Sequence, residues 1–95
     1  MAWYSSKRAT TVVPEEGSWE ACIYHQTKVV RWSHEDRQVI LNSGGFHSAT
    51  TKTRMNEVSR EYGLGFSVYQ ENFDWYVRLP DGSTVDFEDG LSFRF

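Results

Sequence analysis

Cysteine is nearly absent from this sequence of 95 residues, because Cys22 is its only one. A single cysteine excludes an intramolecular disulfide and any multi-cysteine zinc or iron–sulfur site, and it is typical of a reducing compartment. No stretch of about 18 apolar residues occurs, and the first residues lack the apolar run of a signal peptide. We therefore expect a cytosolic chain that does not interact with a membrane.

The sequence also has no excess of positive charge. Ten Lys and Arg residues oppose 13 Asp and Glu residues, which gives a formal net charge of −3. This balance argues against a histone-like protein that wraps nucleic acid by bulk positive charge. The charges are uneven, since residues 1–60 hold eight basic and six acidic side chains and residues 61–95 hold two and seven. Any contact with nucleic acid must therefore be made by a small basic patch and not by the protein surface as a whole.

Aromatic residues are abundant, at 16% of the chain. They give a short protein large, rigid pieces of apolar surface to bury or to present to a partner. The length suffices for one hydrophobic core but not for two. We predict a loosely ordered N-terminal arm over residues 1–17 and a single domain over residues 18–95.

The first half of the domain reads as a hairpin followed by a helix. Residues 21–32 and 38–42 are rich in β-branched and aromatic residues and are separated by a polar turn. Met55, Val58 and Tyr62 then recur at spacings of three and four, which predicts a helix over residues 51–62. Thr50 and Thr51 are suitable N-caps, and Gly63 is a suitable C-terminal cap.

The second half reads as three strands. Residues 66–69, 73–79 and 85–87 have strand character, with turns between them, and a tail follows at residues 91–95. The predicted fold is α+β, with a single helix packed on a mostly antiparallel sheet in the order β-β-α-β-β-β. The predicted core consists of Leu41, Met55, Val58, Tyr62, Phe66, Val68, Phe73, Trp75 and Val77.

The candidate site is the turn that leads into the helix. Glycines allow a ligand to come close to the backbone, and the first helical turn offers unpaired N–H donors. Lys52 and Arg54 stand where the helix dipole is positive and where an acid is usual, an arrangement that a bound phosphate or carboxylate would stabilise. The predicted anion or nucleic-acid site comprises Asn42, Gly44, Gly45, Phe46, His47, Thr50, Thr51, Lys52 and Arg54.

A structural interpretation of the same residues stands beside this one. Lys52 and Arg54 can simply point into water or pair with Glu57, while the glycines serve only the turn. Phe46, beside His47, or Trp32 could form a stacking platform for bases, with Lys28 and Arg31 nearby; core packing is the alternative for Trp32. Both interpretations are open at this point.

Nothing in the sequence carries a recognisable catalytic motif. His25, His34 and His47 have no diagnostic spacing, and no nucleophile elbow, phosphate-binding loop or zinc-protease signature occurs. The aspartates and glutamates of the last fifteen residues are typical of turns and of a solvated strand face. We therefore expect a protein that is not an enzyme and that uses no cofactor or metal.

Two segments, LNSGG at residues 41–45 and TTKTRMN at residues 50–56, carry a resemblance. Together with Tyr24, His25, Ser59 and Trp75, they resemble small proteins encoded by tailed bacteriophages. The resemblance covers about three quarters of the chain. It implies a phage-type origin and expression in the cytoplasm of a bacterial host, and it assigns no activity or site residue.

Two functions fit this small phage-type protein. The first is non-enzymatic binding of nucleic acid, or of another phosphate-bearing ligand, through the strand-to-helix turn. The alternative is an inhibitor or adaptor that binds a host or defence protein through an aromatic surface rimmed with acids. The two differ in salt dependence, because phosphate contacts weaken strongly as salt rises. Exposed sheet edges also permit a homodimer.

Overall fold

The computed structural model describes residues 10–45 and 47–95. Within these residues the chain forms eight strands and one helix. The strands are β1 (Thr10–Pro14), β2 (Trp19–Tyr24), β3 (Thr27–Ser33), β4 (Gln38–Leu41), β5 (Ser67–Glu71), β6 (Asp74–Arg78), β7 (Thr84–Asp86) and β8 (Leu91–Arg94), and the helix is α1 (Ala49–Tyr62).

The strands form two antiparallel sheets. The first sheet has five strands in the order β1-β2-β3-β4-β8, and the second has three in the order β5-β6-β7. Helix α1 contacts β2 and β3 of the first sheet and β5 of the second. The α+β prediction, with a single helix on antiparallel strands, is therefore confirmed, although two sheets replace one.

The predicted order of elements was too short, because the structure runs β-β-β-β-α-β-β-β-β. Residues 21–32, predicted as one strand, reverse direction at a two-residue turn in which His25 has a φ of 59°. Tyr24 consequently pairs with Thr27 across the β2–β3 hairpin. The register also shifts between Cys22 and Ile23, which explains the imperfect alternation of apolar residues in this segment.

Both ends of the described chain differ from the sequence-based prediction. Five residues of the predicted arm, Thr10–Pro14, form β1 against β2, and residues 1–9 of that arm lie outside the described residues. Leu91–Arg94, predicted as a tail, forms β8 and pairs with β4. Both segments carry local strand signals that the prediction did not use, because TTVV is β-branched and LSFR alternates apolar and polar residues.

Helix α1 begins two residues earlier than predicted and ends where predicted. Its N-cap is Ser48, whose Oγ accepts a hydrogen bond from the Thr51 N–H at 3.1 Å, so neither threonine caps the helix. Gly63 adopts the left-handed conformation, with a φ of 68°. Leu64 then donates its N–H to the Ser59 carbonyl at 2.9 Å, which closes the helix as its sequence predicts.

The predicted core is correct except at two aromatic residues. Tyr62 is half-buried and packs its ring on Trp32, with 4.8 Å between centroids. Phe73 is 93% exposed, because it lies in the β5–β6 turn and not in β6. Asn72 and Phe73 both have positive φ values there, so the alternation that begins at Asp74 does not extend back to Phe73. The other predicted members are buried in one cluster.

The edge of β5 is held by polar side chains of α1. The Asn56 amide donates to the Val68 carbonyl at 2.9 Å and accepts from the Val68 N–H at 2.7 Å. The Ser59 hydroxyl bonds both backbone groups of Phe66, at 2.7 and 2.9 Å. These contacts occupy backbone groups that the open edge would otherwise offer to another strand. They also attach the second sheet to the helix.

Replacing Asn56 with alanine should destabilise the fold, because the change leaves both backbone groups of Val68 without their partner. We expect the free energy of unfolding to fall by about 2 kcal/mol in a urea titration, the loss of two partly buried hydrogen bonds. Thr53→Ala, at an exposed position of the same helix, is the matched control and should change it little. Equal stability of the two variants would contradict this role of Asn56.

Candidate functional site

The strand-to-helix turn is organised around an acid from the far end of the chain. Asp89 Oδ1 accepts hydrogen bonds from the Ser43 N–H at 2.8 Å and from the Ser43 hydroxyl at 2.7 Å. The Gly45 N–H donates to the Ser43 Oγ at 3.1 Å. The protein's own carboxylate therefore lies in the turn where the sequence analysis expected a bound anion, and it is bonded to Ser43, which was not among the predicted site residues.

The environment of Asp89 favours its charged form. Partial burial alone would raise the pKa of this carboxyl group, but the hydrogen bonds from Ser43 and the nearby His47 and Gly45 outweigh that effect. The pKa of Asp89 consequently lies below its ordinary value. The turn is held by a charged carboxylate at neutral pH.

Gly44 and Gly45 both have positive φ, at 69° and 87°. A Cβ on Gly44 would collide with the side chain of Thr27, whereas a Cβ on Gly45 would meet no atom within 4 Å. Gly44 is thus required for the close contact between the turn and β3. Asn42 also serves the turn, because its Oδ1 accepts the Gly44 N–H at 2.7 Å.

The start of α1 is largely satisfied internally. The Ser48 carbonyl accepts the Lys52 N–H at 3.2 Å, and the Ser48 hydroxyl lies 3.0 Å from the Thr51 hydroxyl. Thr51 is buried, and Thr50 is half-buried. The N–H groups of Thr51 and Lys52 are therefore already bonded within the protein and do not serve an external anion.

The two cations of the predicted site differ in their surroundings. Arg54 forms an ion pair with Glu57 at 3.2 Å, its side chain is only 16% exposed, and it lies 5.9 Å from the centre of the Tyr24 ring. Lys52 places its Nζ 5.7 Å from the centre of the Trp75 ring. Arg54 thus follows the structural interpretation, because it pairs with Glu57. Lys52 instead lies over an aromatic ring.

Next to Lys52, the exposed His47 stacks on Trp75 with 4.6 Å between ring centroids. Phe87 packs edge-on against both rings, at 5.5 Å from His47 and 5.3 Å from Trp75. Phe46, the other aromatic residue of the predicted site, lies outside the described residues. The structure therefore brings His47 and Lys52 together around the Trp75 ring.

In the wider basic surface suggested by the sequence, Lys28 and Arg31 share a single acid. Glu15 bonds the Lys28 ammonium and accepts from Arg31 Nε at 2.9 Å. The pKa of Glu15 is lowered, mainly by the hydrogen bond from Lys28 and then by Arg31, against the opposing effect of burial. Trp32 is fully buried, so it belongs to the core and not to a stacking platform.

A second surface was not assigned to particular residues by the sequence analysis. Tyr69 of β5 and Tyr76 of β6 pair across the outer face of the second sheet, with 5.7 Å between ring centroids. The fully exposed Phe73 lies in the turn that joins these strands. We call this surface the tyrosine face; it consists of Tyr69, Glu71, Phe73, Asp74, Tyr76 and Asp86. The alternation of β6 gives the signal for it, because Trp75 and Val77 point inwards.

Like charges face each other on the tyrosine face. Glu71 and Asp74 are directly opposed in the β5–β6 register, and Asp86 is opposite Tyr76. Partial burial raises the pKa of the Tyr76 phenol, and the carboxylates of Asp74, Asp86 and Glu71 raise it further. Among the described residues these three acids form no ion pair. Directly opposed carboxylates destabilise a pair of strands. Arg78 lies on the same side of β6, so three acids against one cation leave this side of the sheet with an excess of negative charge.

Neither a metal-binding cluster nor a membrane-spanning helix occurs in the described part of the chain. No group of three or more His, Cys, Asp or Glu side chains in residues 10–45 and 47–95 is placed to hold a metal ion. The helix of that part is too short and too polar to cross a membrane.

The link between Asp89 and Ser43 predicts a pH-dependent stability. Because the pKa of Asp89 is lowered in the native state, its contribution is present above the ordinary carboxyl pKa and is lost as the pH falls through the lowered value. Asp89→Asn should cost about 1 kcal/mol in denaturant titrations at pH 7, the low end for a charged hydrogen bond that is partly exposed to solvent.

The same substitution should cost much less in strong acid, where the wild-type carboxyl group is also neutral. Asp36→Asn, in the β3–β4 turn, is the control, and its small effect should not depend on pH in this way. An Asp89→Asn variant as stable as the wild type at pH 7 would show that Asp89 does not hold the turn.

Comparison with known proteins adds a family to this description. Residues 2–94 match the family model described as Kyanoviridae Gp96 protein. No curated protein and no solved structure matches the chain. The family match confirms the resemblance to small phage proteins, while the LNSGG and TTKTRMN segments as the mark of that group stay a prediction. The chain, nearly all of which is covered by the match, belongs to the Kyanoviridae Gp96 protein family of phage proteins.

Proposed function

We propose that this protein is a non-enzymatic adaptor or inhibitor that binds a protein of the phage's bacterial host through the tyrosine face. The observation that carries the proposal is the unpaired carboxylate cluster beside an exposed aromatic residue. The partner is a protein surface or segment that presents Lys or Arg side chains together with an apolar pocket.

Aromatic exposure supports this proposal. Phe73, the large hydrophobic side chain that is 93% exposed, is held in a turn with a φ of 71°. The left-handed backbone conformation at a phenylalanine costs free energy, and the exposure of its ring to water is a further cost. Burial of the ring in a partner would recover the second cost. Phe73 is therefore the proposed anchor of the interface, flanked by Tyr69 and Tyr76.

Charge supports it independently. The opposed carboxylates of Glu71 and Asp74 repel each other in the isolated protein, and Asp86 lies one strand away. Lys or Arg from a partner would replace this repulsion with attraction, and an arginine can also stack on a tyrosine ring. Charge complementarity thus selects a basic partner and disfavours nucleic acid at this face.

The proposal can be tested with purified tagged protein, which captures binding proteins from an extract of the bacterial host. Each captured protein is then purified and its Kd measured against the wild type and against variants. Phe73→Ser should weaken binding by about 30-fold or more, the effect expected for a central aromatic anchor. Asp74→Asn should weaken it less, and more at low salt than at high salt.

Asp36→Asn is the matched control for Asp74→Asn, because it makes the same change at an exposed acid in the first sheet. It should leave the Kd unchanged. Captured proteins that bind Phe73→Ser and Tyr76→Ala as tightly as the wild type would remove the tyrosine face as the docking site. Self-association through the same face would be seen as a dimer in size-exclusion chromatography that Phe73→Ser abolishes.

A second candidate function is contact with nucleic acid at the strand-to-helix turn. The cluster of His47 and Lys52 on the Trp75 ring supports it, because it combines a cation with an exposed stacked ring. Arg54 is paired with Glu57, and the Thr51 N–H is bonded to Ser48, so this site has fewer groups for phosphate than the sequence suggested. It is therefore the weaker candidate.

Oligonucleotide binding measured by fluorescence at two salt concentrations tests this second candidate. Binding should weaken strongly as salt rises and should fall about tenfold with Lys52→Gln. Arg54 is unsuitable for this test, because its largely buried ion pair makes substitution destabilising. Arg94→Gln, at an exposed position in β8, is the charge-matched control. Equal binding by Lys52→Gln and Arg94→Gln would exclude the turn as the contact.

A further inference from the structure

A pocket lies between the β2–β3 turn and the start of α1. Its volume is about 810 Å³, within the range of cavities that hold small organic ligands. Tyr24, His25, Gln26 and Thr27 form one wall, and Val29, Ser43, Ser48 and Thr51 complete it. It is separate from the tyrosine face, which lies on the second sheet.

The two walls of the pocket differ in their hydrogen bonds. Ser43, Ser48 and Thr51 already bond to groups of the turn and the helix. Gln26 and Thr27, in contrast, make no side-chain hydrogen bond within the described residues. The hairpin wall therefore presents an amide and a hydroxyl with unused donors and acceptors towards the pocket.

Aromatic rings stand beside these polar groups. The rings of Tyr24 and His25 lie 4.3 Å apart, and both residues line the pocket. Val29 adds an apolar surface and is buried. Among the residues that the structure describes, no Lys, Arg, Asp or Glu lines the pocket. The pocket thus offers aromatic rings and neutral hydrogen-bonding groups. Arg54, which is paired with Glu57, lies beside it at 5.9 Å from the centre of the Tyr24 ring.

We propose that this pocket binds a nucleobase. The rim of a nucleobase alternates donors and acceptors, which hydroxyl and amide side chains match, and its face stacks on aromatic rings. The base is either that of a free nucleoside or one of a single-stranded nucleic acid. This inference rests on the pocket alone, so it can fail while the docking role of the tyrosine face holds, and the reverse.

The experiment records amide NMR spectra of the full chain while adenosine, guanosine, cytidine or thymidine is added, and then a short single-stranded oligonucleotide. At least one nucleoside or the oligonucleotide should shift the resonances of the residues that line the pocket. A shift by nucleosides identifies a free base as the ligand, and a shift by the oligonucleotide alone identifies a base within a strand. Nucleoside affinity should change little with salt, because a nucleoside has no phosphate group.

Tyr24→Leu should weaken binding about tenfold, by loss of a stacking ring. Tyr69→Leu makes the same change on the tyrosine face and should leave the affinity unaltered. Because Tyr24 also packs against the core, Thr27→Val provides a second variant that removes one hydroxyl at nearly constant shape, with an expected loss of about fivefold. The proposal is overturned if no nucleoside or oligonucleotide shifts the pocket resonances, or if neither pocket variant binds more weakly than Tyr69→Leu.

Discussion

Two polar side chains of one helix determine where the second sheet lies. Asn56 and Ser59 act as backbone partners for Val68 and Phe66, so β5 is joined to α1 as if the helix were a neighbouring strand. Each residue supplies both a donor and an acceptor, which fixes position and direction together. The tyrosine face and the Trp75 ring under His47 both follow from this attachment. The surfaces proposed for binding are therefore set by hydrogen bonds made inside the protein.

Elements with local signals were predictable from the sequence. Gly63 ends the helix, the polar residues after Ser33 form the β3–β4 turn, and the spacing of Met55 and Val58 indicates the buried side of α1. Strands β1 and β8 were missed despite the β-branched TTVV and the alternating LSFR, and the sequence does not show which strand each of them pairs with. The turn at His25 was missed because it contains neither glycine nor proline, and only the folded hairpin supports its positive φ.

At the candidate site, too, features set by neighbouring residues could be predicted, and features set by residues distant in sequence could not. The basic start of α1 could be read directly, and the pairing of Arg54 with Glu57 was one of the two interpretations left open. The role of Asp89 could not be read, because it joins Ser43 across 46 positions of sequence. The tyrosine face needed the β5–β6 register, which brings Glu71 opposite Asp74. The spacing of residues along a helix thus predicts contacts within that one helix. Which charges are compensated depends instead on pairs of residues that only the fold brings together.

The pairing of β4 with β8 gives the protein a particular order of assembly. Val39 pairs with Phe93, so the helix and the whole second sheet are inserted between two adjacent strands of the first. On the ribosome, β1 to β4 emerge before the helix and the second sheet, and they cannot acquire their fifth strand until β8 has been synthesised. The edge of β4 remains open throughout that interval, and non-local closure of this kind slows folding. Synthesis of β8 therefore completes the sheet whose other four strands are synthesised first.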